Sequence, residues 1–401
     1  MHFPRGIAAA DFLERHWQKH ALFMPGALAA DLPLLTPDEL GWLATLDDVE
    51  SRLIFTERSG AGCSYRLQHG PFSSDTLAAL PERDWTLLVQ DVEKHLPDFR
   101  RWIEYADFVP DWRVDDLMVS FAAPGGSAGP HRDHYDVFLC QGAGEREWRI
   151  AAENARLREV SADGLALLEP FHGDRCHVAT PGDLLYLPPG IAHWGVARDA
   201  CMTYSIGMRA PELADLQRGF ERIFPGLSRG PQAPAEAQPA FYTDPDLAPG
   251  ESIPGQITGQ AVTRTRSAFG QLAEFETCRL IQVLGSAVTE PKAWLAPETP
   301  DADGMEALLR RMGAGASLAV HGMARLAWYS GEAGHWVFAN GHSRALCAGE
   351  LPLVQDLCRR RLLRPAAQYP GGTTGLLQWL LQCGLLDPCG DADENRSQVS
   401  E

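Results

Sequence analysis

The chain has 401 residues, of which 45% are hydrophobic, and its formal net charge is -18 at pH 7. This size predicts two or three domains with sizeable cores, and the lack of an 18-residue apolar run or a signal-like N-terminus predicts a cytoplasmic protein without membrane contact. The acidic charge argues against direct nucleic-acid binding and favours a cationic partner. Nine cysteines without a Cys-x-x-Cys pair predict reduced thiols that pack in the core, Cys140 and Cys201 among them.

Two segments near the N-terminus carry helix signals. Thr36-Pro37-Asp38-Glu39 has the cap residue, the first-turn proline and the returning Glu of a capping box, which predicts a helix from Leu40 to about Leu46. Asp84 is placed to cap a second helix. The apolar side of that helix would consist of Trp85, Leu88, Val89 and Val92.

Between Leu117 and Met208, short apolar segments alternate with Gly and Pro turns. Many short strands separated by turn residues are typical of a double-sheet barrel of the cupin type. We therefore expect an α+β protein whose central part is a double-stranded β-helix, or jelly roll, with the functional site in its interior.

The strongest chemical signal is a pair of motifs inside this barrel. His131-Arg132-Asp133 places a histidine and a carboxylate on one face of a strand, about 7 Å apart along the backbone. His193 follows Asp133 by 60 residues, after a Pro-Gly-Asp turn and a Pro-Pro-Gly break, and is expected on a neighbouring strand. Two histidines and one carboxylate without thiolate suit a metal with an open coordination face, Fe(II) that activates O2, better than structural zinc.

Arg146 provides the second signal. If Tyr135 to Cys140 and Arg146 to Ile150 are the two arms of a hairpin, alternation points Arg146 inward together with Trp148. An inward guanidinium needs an anion, and its planar fork matches a carboxylate. A dicarboxylate that chelates the metal at one end and meets Arg146 at the other describes 2-oxoglutarate. The alternative is an internal salt bridge from Arg146 to a protein carboxylate.

Residues 111–211, which contain these motifs, resemble the bacterial ribosomal oxygenases of the JmjC type. The resemblance extends to residues 11–28 and 241–247, and so covers most of residues 1 to about 260. Members of that family hydroxylate an arginine of a large-subunit ribosomal protein. The resemblance therefore implies a dioxygenase that uses Fe(II), 2-oxoglutarate and O2 and hydroxylates an arginine side chain, at Cβ, of a basic ribosomal protein of the large subunit.

The family's site residues carry over position by position. By the resemblance, the iron ligands and catalytic residues are His131, Asp133 and His193. The positions that match the 2-oxoglutarate contacts are Arg146, Ser120 and Thr203. Thr203 stands where the best-known relatives have an asparagine, although a hydroxyl also hydrogen-bonds a carboxylate.

The family's substrate pocket maps to Asp116, Met118, Tyr135 and Ser205. An Asp beside a Tyr face suits a guanidinium, because it offers charge pairing and stacking. Without the resemblance, Asp116 would be interpreted equally well as a surface carboxylate at a strand end, and Met118 as a core residue. His134 points away from the ligand side by alternation, which makes it a packing or surface residue.

After Pro211 the pattern becomes helical, and residues 224–262 are rich in Pro, Gly, Gln and Ala, which predicts a linker or an ordered arm over the surface. An amphipathic helix is predicted next, because residues recur at intervals of three or four that place them on one helix face: Phe269, Leu272, Glu276, Leu280, Val283 and Leu284. In the family the equivalent region makes a dimer, so the resemblance implies a homodimer. The alternative is a helix that packs within its own chain.

The last section combines helices with a hairpin from Ala324 to Ala339, an arrangement that resembles a winged-helix module. Residues 305–385 contain eight Arg, no Lys and four acids, so this part is about +4 in an acidic chain. The run Arg359-Arg360-Arg361 is either a solvated helix face or a contact to ribosomal RNA or to an acidic face of a partner subunit. The polar tail from Asp387 is expected to be disordered.

We therefore expect four parts: a JmjC/cupin-like catalytic domain over 1–211, a linker and helical dimerisation region over 212–289, a winged-helix-like domain over 290–386 and the tail over 387–401. Two other classes remain open from the residues alone. One is a metal-dependent cupin enzyme that is not an oxygenase, which would not bind 2-oxoglutarate. The other is a carboxylate sensor whose C-terminal module binds DNA, which would show salt-sensitive, sequence-selective binding.

Overall fold

The structure is a computed structural model, and it describes residues 4–59, 62–153, 155–226, 240–272, 274–364 and 373–388. The chain divides into two compact units. The first unit comprises Met1–Phe108, Val114–Arg209 and Pro245–Pro249, and the second comprises Val109–Arg113, Ala210–Asp244 and Gly250–Glu401.

The first unit is built mainly of antiparallel strands. They are β1 (Leu22–Met24), β2 (Ser51–Ser59), β3 (Gly62–His69), β4 (Trp85–Val89), β5 (Val114–Ala122), β6 (Val137–Ala143), β7 (Arg146–Ile150), β8 (Arg158–Ala162), β9 (Leu165–Glu169), β10 (Arg175–Ala179), β11 (Leu184–Leu187), β12 (His193–Ala197) and β13 (Cys201–Met208).

Two sheets form the barrel of this unit. The larger has the order β1-β11-β6-β13-β5-β4-β2-β3, and the smaller has the order β10-β7-β12. Val137 and Leu139 of the larger sheet pack with Trp148 and Ile150 of the smaller sheet in one buried cluster. Each such side chain contributes roughly 1.5–3 kcal/mol on burial. The predicted double-sheet architecture of the cupin type is confirmed at this level.

Short helices accompany the sheets in the first unit. They are α1 (Ala9–Arg15), α2 (Pro37–Leu43), α3 (Ser74–Ala78), α4 (Val92–His95) and α5 (Arg100–Glu104). The predicted capping box is present, because Thr36 Oγ1 accepts from the Glu39 N–H at 3.3 Å and Glu39 Oε2 accepts from the Thr36 N–H at 2.7 Å. The helix that it starts ends at Leu43, three residues before the predicted end.

The helix predicted after Asp84 is wrong. Trp85–Val89 is strand β4, which pairs with β2 on one side and β5 on the other. Asp84 has a φ of 64° and accepts from Arg58 Nε at 3.0 Å, so it forms a turn and an ion pair. Pairing on both edges of the strand outweighs the local helix signal, since apolar runs of this length fit either element.

The hairpin predicted from Tyr135–Cys140 and Arg146–Ile150 is also wrong. β6 pairs with β11 and β13 in the larger sheet, whereas β7 pairs with β10 and β12 in the smaller one. The connection at Gly144 and Glu145 passes from one sheet to the other. The alternation argued from the hairpin holds, because Arg146, Trp148 and Ile150 are buried.

The second unit is mostly helical, with two small sheets of order β18-β14-β19 and β15-β16-β17. Its helices are α6 (Leu213–Ile223), α7 (Gly259–Ala268), α8 (Thr277–Thr289), α9 (Ala302–Gly313), α10 (Leu351–Arg360) and α11 (Thr374–Gln382). Its strands are β14 (Leu318–Val320), β15 (Leu326–Gly331), β16 (Gly334–Ala339), β17 (His342–Ala345), β18 (Leu362–Leu363) and β19 (Leu386–Pro388).

Two boundaries in this unit differ from the sequence interpretation. The predicted linker over 224–262 runs into α7, which Thr258 caps by accepting from the Ala261 N–H at 3.1 Å; residues 227–239 lie outside the described residues. The helix predicted from Phe269 begins only at Thr277, because a short 3-10 turn at Gly270–Leu272 intervenes.

The apolar face of α8 is covered within its own unit. Leu280, Ile281, Val283 and Leu284 are fully buried in a single copy of the chain, among side chains of α6, α7 and β16. This is the alternative that the sequence left open for this helix. A dimer contact would therefore have to use a different surface.

The hairpin predicted near the C-terminus is present as β15 and β16. Leu326 pairs with Ala339 at one end of the hairpin, and Gly331 pairs with Gly334 at the turn. The tail predicted to be disordered from Asp387 begins two residues too early, since Asp387 and Pro388 belong to β19. The remainder of that tail lies outside the described residues. Among the helices that the structure describes, none has the length and apolarity required to span a membrane.

Candidate metal and co-substrate site

The two histidines of the metal motif are neighbours through their backbones. His131 and His193 form an isolated antiparallel bridge, in which the His131 N–H donates to the His193 carbonyl at 3.0 Å and the His193 N–H donates back at 2.9 Å. His193 opens β12, whereas His131 and Asp133 lie in a loop. The predicted strand over 131–133 is therefore wrong, although the residues meet as expected.

The three side chains converge on one point. One ligand atom from each of His131, Asp133 and His193 lies within 4.8 Å of the others. Nε2 of His131 is 3.9 Å from Asp133 Oδ1, and Nε2 of His193 is 3.7 Å from Asp133 Oδ2. These distances fit a single ion bound between the three groups.

Backbone carbonyls orient both imidazole rings. Nδ1 of His131 is 2.9 Å from the Gly129 carbonyl, and Nδ1 of His193 is 3.0 Å from the Ile191 carbonyl. Each Nδ1 is therefore the donor, which leaves Nε2 as the lone-pair atom that points to the ion. Burial, together with the neighbouring His131, lowers the pKa of His193 to about 4, so His193 is a neutral ligand at physiological pH.

Arg146 lies in the same interior and is only 6% exposed. Its Nε and one terminal nitrogen are buried without a hydrogen-bond partner among the residues that the structure describes, while the other terminal nitrogen is 3.5 Å from Ser120 Oγ. Within those residues no carboxylate pairs with Arg146, which removes the internal salt bridge considered from the sequence. A buried guanidinium with unpaired donors has a high desolvation cost, so it fits an anionic ligand with two oxygens.

The strand register leaves room beside Arg146. Its cross-strand partners on the two sides are Ala179 and Ala197, both small side chains. One step along, a Cβ on Gly195 would lie 2.5 Å from the Trp148 ring, so Gly195 allows that ring to cover the interior. Within the smaller sheet, the side chains next to Arg146 are thus apolar.

Ser120 and Thr203 face each other across the pair formed by β5 and β13. Both are buried. The Thr203 hydroxyl donates to Gln141 Oε1 at 3.1 Å, and Gln141 in turn donates to the carbonyls of Ala143 and Gly144. To donate to a ligand carboxylate, the Thr203 hydroxyl must turn away from Gln141.

The predicted substrate residues share this sheet face. Asp116, Met118 and Ser120 alternate along β5, and Ser205 is the cross-strand partner of Met118. Directly opposite residues of an antiparallel pair point to the same side. Asp116 and Ser205 are buried, and Met118 is half-buried beside Tyr65 and Leu167.

A small gap separates Asp116 from Tyr135, which is 41% exposed. A Cβ placed on Gly207 would lie 3.1 Å from Asp116 Oδ1 and 3.9 Å from Tyr135 Cε2. The carboxylates of Asp133, Asp116 and Asp115 raise the pKa of Tyr135 above its ordinary value. The gap above Gly207 is therefore bounded by an aromatic ring and lies in a negative field.

Sequence reasoning missed two residues that support the site. Ser127 is buried and accepts from the Gly129 N–H at 3.0 Å and from Trp194 Nε1 at 2.9 Å, so it connects the two segments that carry the histidines. Its position in the Gly-Gly-Ser-Ala-Gly-Pro loop before His131 was the available signal. Gln90 had no local signal; with its side-chain amide turned so that both ends find partners, its nitrogen donates to Asp116 Oδ2 at 3.0 Å.

Comparisons with known proteins agree with this geometry. Residues 102–216 match the family model described as JmjC domain. The chain is 37% identical over 263 residues to the ribosomal protein uL16 3-hydroxylase of Escherichia coli (strain K12), and the alignment covers 65% of this chain and 66% of that protein. It is 35% identical to a probable ribosomal oxygenase of Haemophilus influenzae, over 55% of this chain and 54% of that protein.

Solved structures match over almost the whole chain. The structure of E. coli ycfD has a TM-score of 0.72 at 29% identity and covers 95% of this chain and 98% of that chain. The structure described as YcfD, a ribosomal oxygenase, in complex with cobalt and 2-oxoglutarate has a TM-score of 0.68 at 28% identity, with 96% and 99% covered. The chain carries a JmjC domain at residues 102–216 and is similar to ribosomal oxygenases over most of its length.

The JmjC match and these similarities confirm the resemblance stated from the sequence. In the sequence alignments, the chain spans just under two thirds of the E. coli relative and about half of the H. influenzae relative. A second YcfD structure, in complex with cobalt and succinic acid, also matches, with a TM-score of 0.66. A metal and a small dicarboxylate are thus recorded together in proteins similar to this JmjC chain.

Proposed function

We propose that this chain is an Fe(II)- and 2-oxoglutarate-dependent oxygenase that hydroxylates an arginine side chain, at Cβ, of a large-subunit ribosomal protein. The observation that carries the proposal is the convergence of His131, Asp133 and His193 near the buried Arg146, whose Nε and one terminal nitrogen have no protein partner among the described residues. Because the E. coli relative is a uL16 3-hydroxylase, uL16 is the first substrate to test.

The site residues have separate roles in this proposal. His131, Asp133 and His193 hold the metal, and the two neutral imidazoles bind through Nε2. Arg146 pairs with the distal carboxylate of 2-oxoglutarate, and the hydroxyls of Ser120 and Thr203 complete its polar contacts. Asp116, Met118, Tyr135 and Ser205 hold the substrate side chain, with Asp116 paired to its guanidinium.

When bound, Fe(II) with 2-oxoglutarate and O2 supplies the oxidising chemistry. The chain's own residues contribute orientation and the exclusion of water. Arg146 fixes the co-substrate at the end remote from the metal, and the Trp148 ring covers the interior. Asp116 and Tyr135 restrict the substrate side chain to one position, which raises the effective concentration of the reacting carbon.

Mass spectrometry tests this function. The purified protein is incubated with Fe(II), 2-oxoglutarate, air and basic large-subunit ribosomal proteins including uL16, and succinate release is measured in parallel. One added oxygen on a single arginine, matched by succinate, is expected. Succinate without a modified protein would exclude this substrate class but keep the oxygenase chemistry. The absence of both succinate and a modified protein would support a cupin enzyme that is not an oxygenase.

The assembly and the C-terminal part complete the proposal. We infer that the protein is a cytoplasmic homodimer. The domain borders at 211, 289 and 386 stay predictions. We further infer that region 290–386 is a winged-helix-like domain without a direct nucleic-acid role. Internal pairing of the basic run supports the absence of a nucleic-acid role, because Arg360 donates to Asp356 at 2.6 Å and Arg361 donates to the His321 carbonyl at 3.0 Å. Light scattering of the purified chain tests the dimer.

A further inference from the structure

An apolar groove lies on the surface of the first unit, outside the site described above. It has a volume of about 260 Å³ and is lined chiefly by Leu34, Trp42, Pro97 and Phe99. Leu34 is 56% exposed and Trp42 is 55% exposed, which places them among the most exposed large apolar side chains of the described residues. An exposed Trp beside a concave apolar surface is typical of a protein-protein contact, since Trp is enriched at the residues that dominate such interfaces.

The surroundings of the groove are strongly negative. Residues 31–50 contain six acids and no Lys or Arg. Asp38 and Trp42 are four residues apart on α2 and therefore neighbours on the helix surface, and Glu39 and Asp98 line the groove itself. Thr36 bonds lower the pKa of Glu39, so its charge is maintained. Two cations, Arg100 and Arg101, follow Phe99, and Arg101 is paired with Asp31 at 2.5 Å.

This charge selects the occupant. In a symmetric dimer through this face, each copy would present the same acidic segment to the other, which is repulsive. A basic polypeptide would instead gain attraction to the carboxylates and bury an apolar side chain against Trp42 and Leu34. The observations therefore favour a cationic protein partner over a second copy of the chain.

The groove is fixed to the sheet that carries the site. Tyr204 on β13 accepts from the Leu35 N–H at 2.7 Å, and Trp102 stacks on the Tyr204 ring at 4.6 Å between centroids. Because successive residues of a strand point to opposite faces, Tyr204 lies on the opposite face from Thr203 and Ser205. The groove thus lies outside the sheet whose inner face carries the site.

We propose that the groove formed by Leu34, Trp42, Pro97 and Phe99 is a docking surface for the ribosomal protein substrate. The groove would bind a basic segment of that substrate while the substrate's arginine enters the site. This inference rests on the proposed function. The docking surface and the site lie on opposite faces of one sheet, so only a long polypeptide or a folded protein reaches both. A short peptide around the arginine occupies the site alone.

The test compares two substrates in steady-state hydroxylation: intact uL16 and a peptide of about ten residues around the modified arginine. Trp42→Ala is expected to raise KM for uL16 by at least about tenfold, with kcat and the peptide's kinetics unchanged. Trp294→Ala is the matched control, because Trp294 is 56% exposed and lies in the second unit. An unchanged KM for uL16, or equal losses for uL16 and peptide, would overturn the docking surface.

Charge reversal gives a second readout. Asp38→Lys is expected to raise KM for uL16 and to weaken its dependence on salt, while the peptide is unaffected. Asp303→Lys is the matched control, since Asp303 is exposed and is the second residue of α9, as Asp38 is of α2. A shift of Trp42→Ala from dimer to monomer in light scattering would identify a second copy as the occupant and overturn the proposal.

Failure of the proposed function is distinguishable from failure of the docking surface. If the wild-type protein modifies no arginine, calorimetric binding of uL16 still decides the second point. Binding that Trp42→Ala weakens and Trp294→Ala does not would support the docking surface. Absence of binding, or equal binding by the two variants, would overturn it.

Discussion

His131 and His193 are hydrogen-bonded to each other in both directions through their backbones, at 3.0 and 2.9 Å. These backbone hydrogen bonds therefore hold the two imidazoles side by side, with 4.3 Å between their ring centroids. Carbonyls two residues upstream fix both rings in the form that presents Nε2. The metal site is thus largely organised before an ion binds, which limits the ordering cost of binding.

Asp133→Ala removes the carboxylate from the group of three metal ligands. We expect the metal affinity to fall by more than the roughly 10- to 100-fold that follows when a residue that hydrogen-bonds a ligand is replaced. Coupled turnover should also be lost. Cobalt titration followed by absorption, together with the hydroxylation assay, measures both. His134→Ala, at the exposed neighbouring residue, should bind metal normally. Hydroxylation retained in Asp133→Ala would refute the ligand assignment.

Arg146→Lys should weaken 2-oxoglutarate binding by about 2 kcal/mol or more, because an ammonium cannot reproduce the two-point contact and truncating a buried charged pair is costly. Calorimetry with the metal-loaded protein measures the change. Arg198→Lys is the control, since Arg198 is half exposed and pairs with Glu145 and Glu147. Equal affinity in wild type and Arg146→Lys would mean that another group binds the distal carboxylate.

Gly207→Ala should fill the gap between Asp116 and Tyr135. The added methyl lies 3.1 Å from Asp116 Oδ1, so we expect kcat/KM for an arginine substrate to fall roughly 10- to 200-fold. Binding of 2-oxoglutarate should not change, because Gly207 lies at the Asp116 end of the strand pair. Gly313→Ala, which meets open space, controls for the substitution itself. Unchanged kinetics would place the substrate guanidinium elsewhere.

Ser127→Ala should weaken metal binding by roughly 10- to 100-fold without removing any ligand. The substitution takes away the oxygen that accepts from both the Gly129 N–H and Trp194 Nε1, so the two histidine segments lose a shared anchor. Metal titration at constant pH is the measurement. Ser161→Ala on the exposed strand β8 should behave as wild type. A normal affinity in Ser127→Ala would show that the His131–His193 bridge suffices.

Glu93→Gln should make the protein more stable at pH 7. Burial raises the pKa of the Glu93 carboxyl, so the folded state favours its protonated form and stability falls as pH rises from about 4.3, the unfolded value, through the folded pKa. Gln keeps an acceptor for the Leu117 N–H, now at 2.9 Å. Thermal melts should show a higher Tm than wild type at pH 7 and equal values near pH 4. A lower Tm at pH 7 would mean that attraction to Lys94 outweighs burial.

The sequence by itself determined the chemistry of the site. A histidine and a carboxylate two residues apart, a third ligand after a Pro-Pro-Gly break and an arginine on an apolar alternating strand are local patterns, and the structure brings His131, Asp133 and His193 together. The capping box at Thr36 and Glu39 was equally readable, because its hydrogen bonds join residues three apart.

Only the tertiary structure decided which strands pair. β6 and β7 are consecutive and separated by two residues, yet they lie in different sheets, and Trp85–Val89 is a strand because β2 and β5 pair with both its edges. Such pairing depends on partners distant in sequence, which a local pattern does not encode. For the same reason Gln90, which contacts Asp116, had no local signal, and the loop motif around Ser127 did not reveal its contact with Trp194.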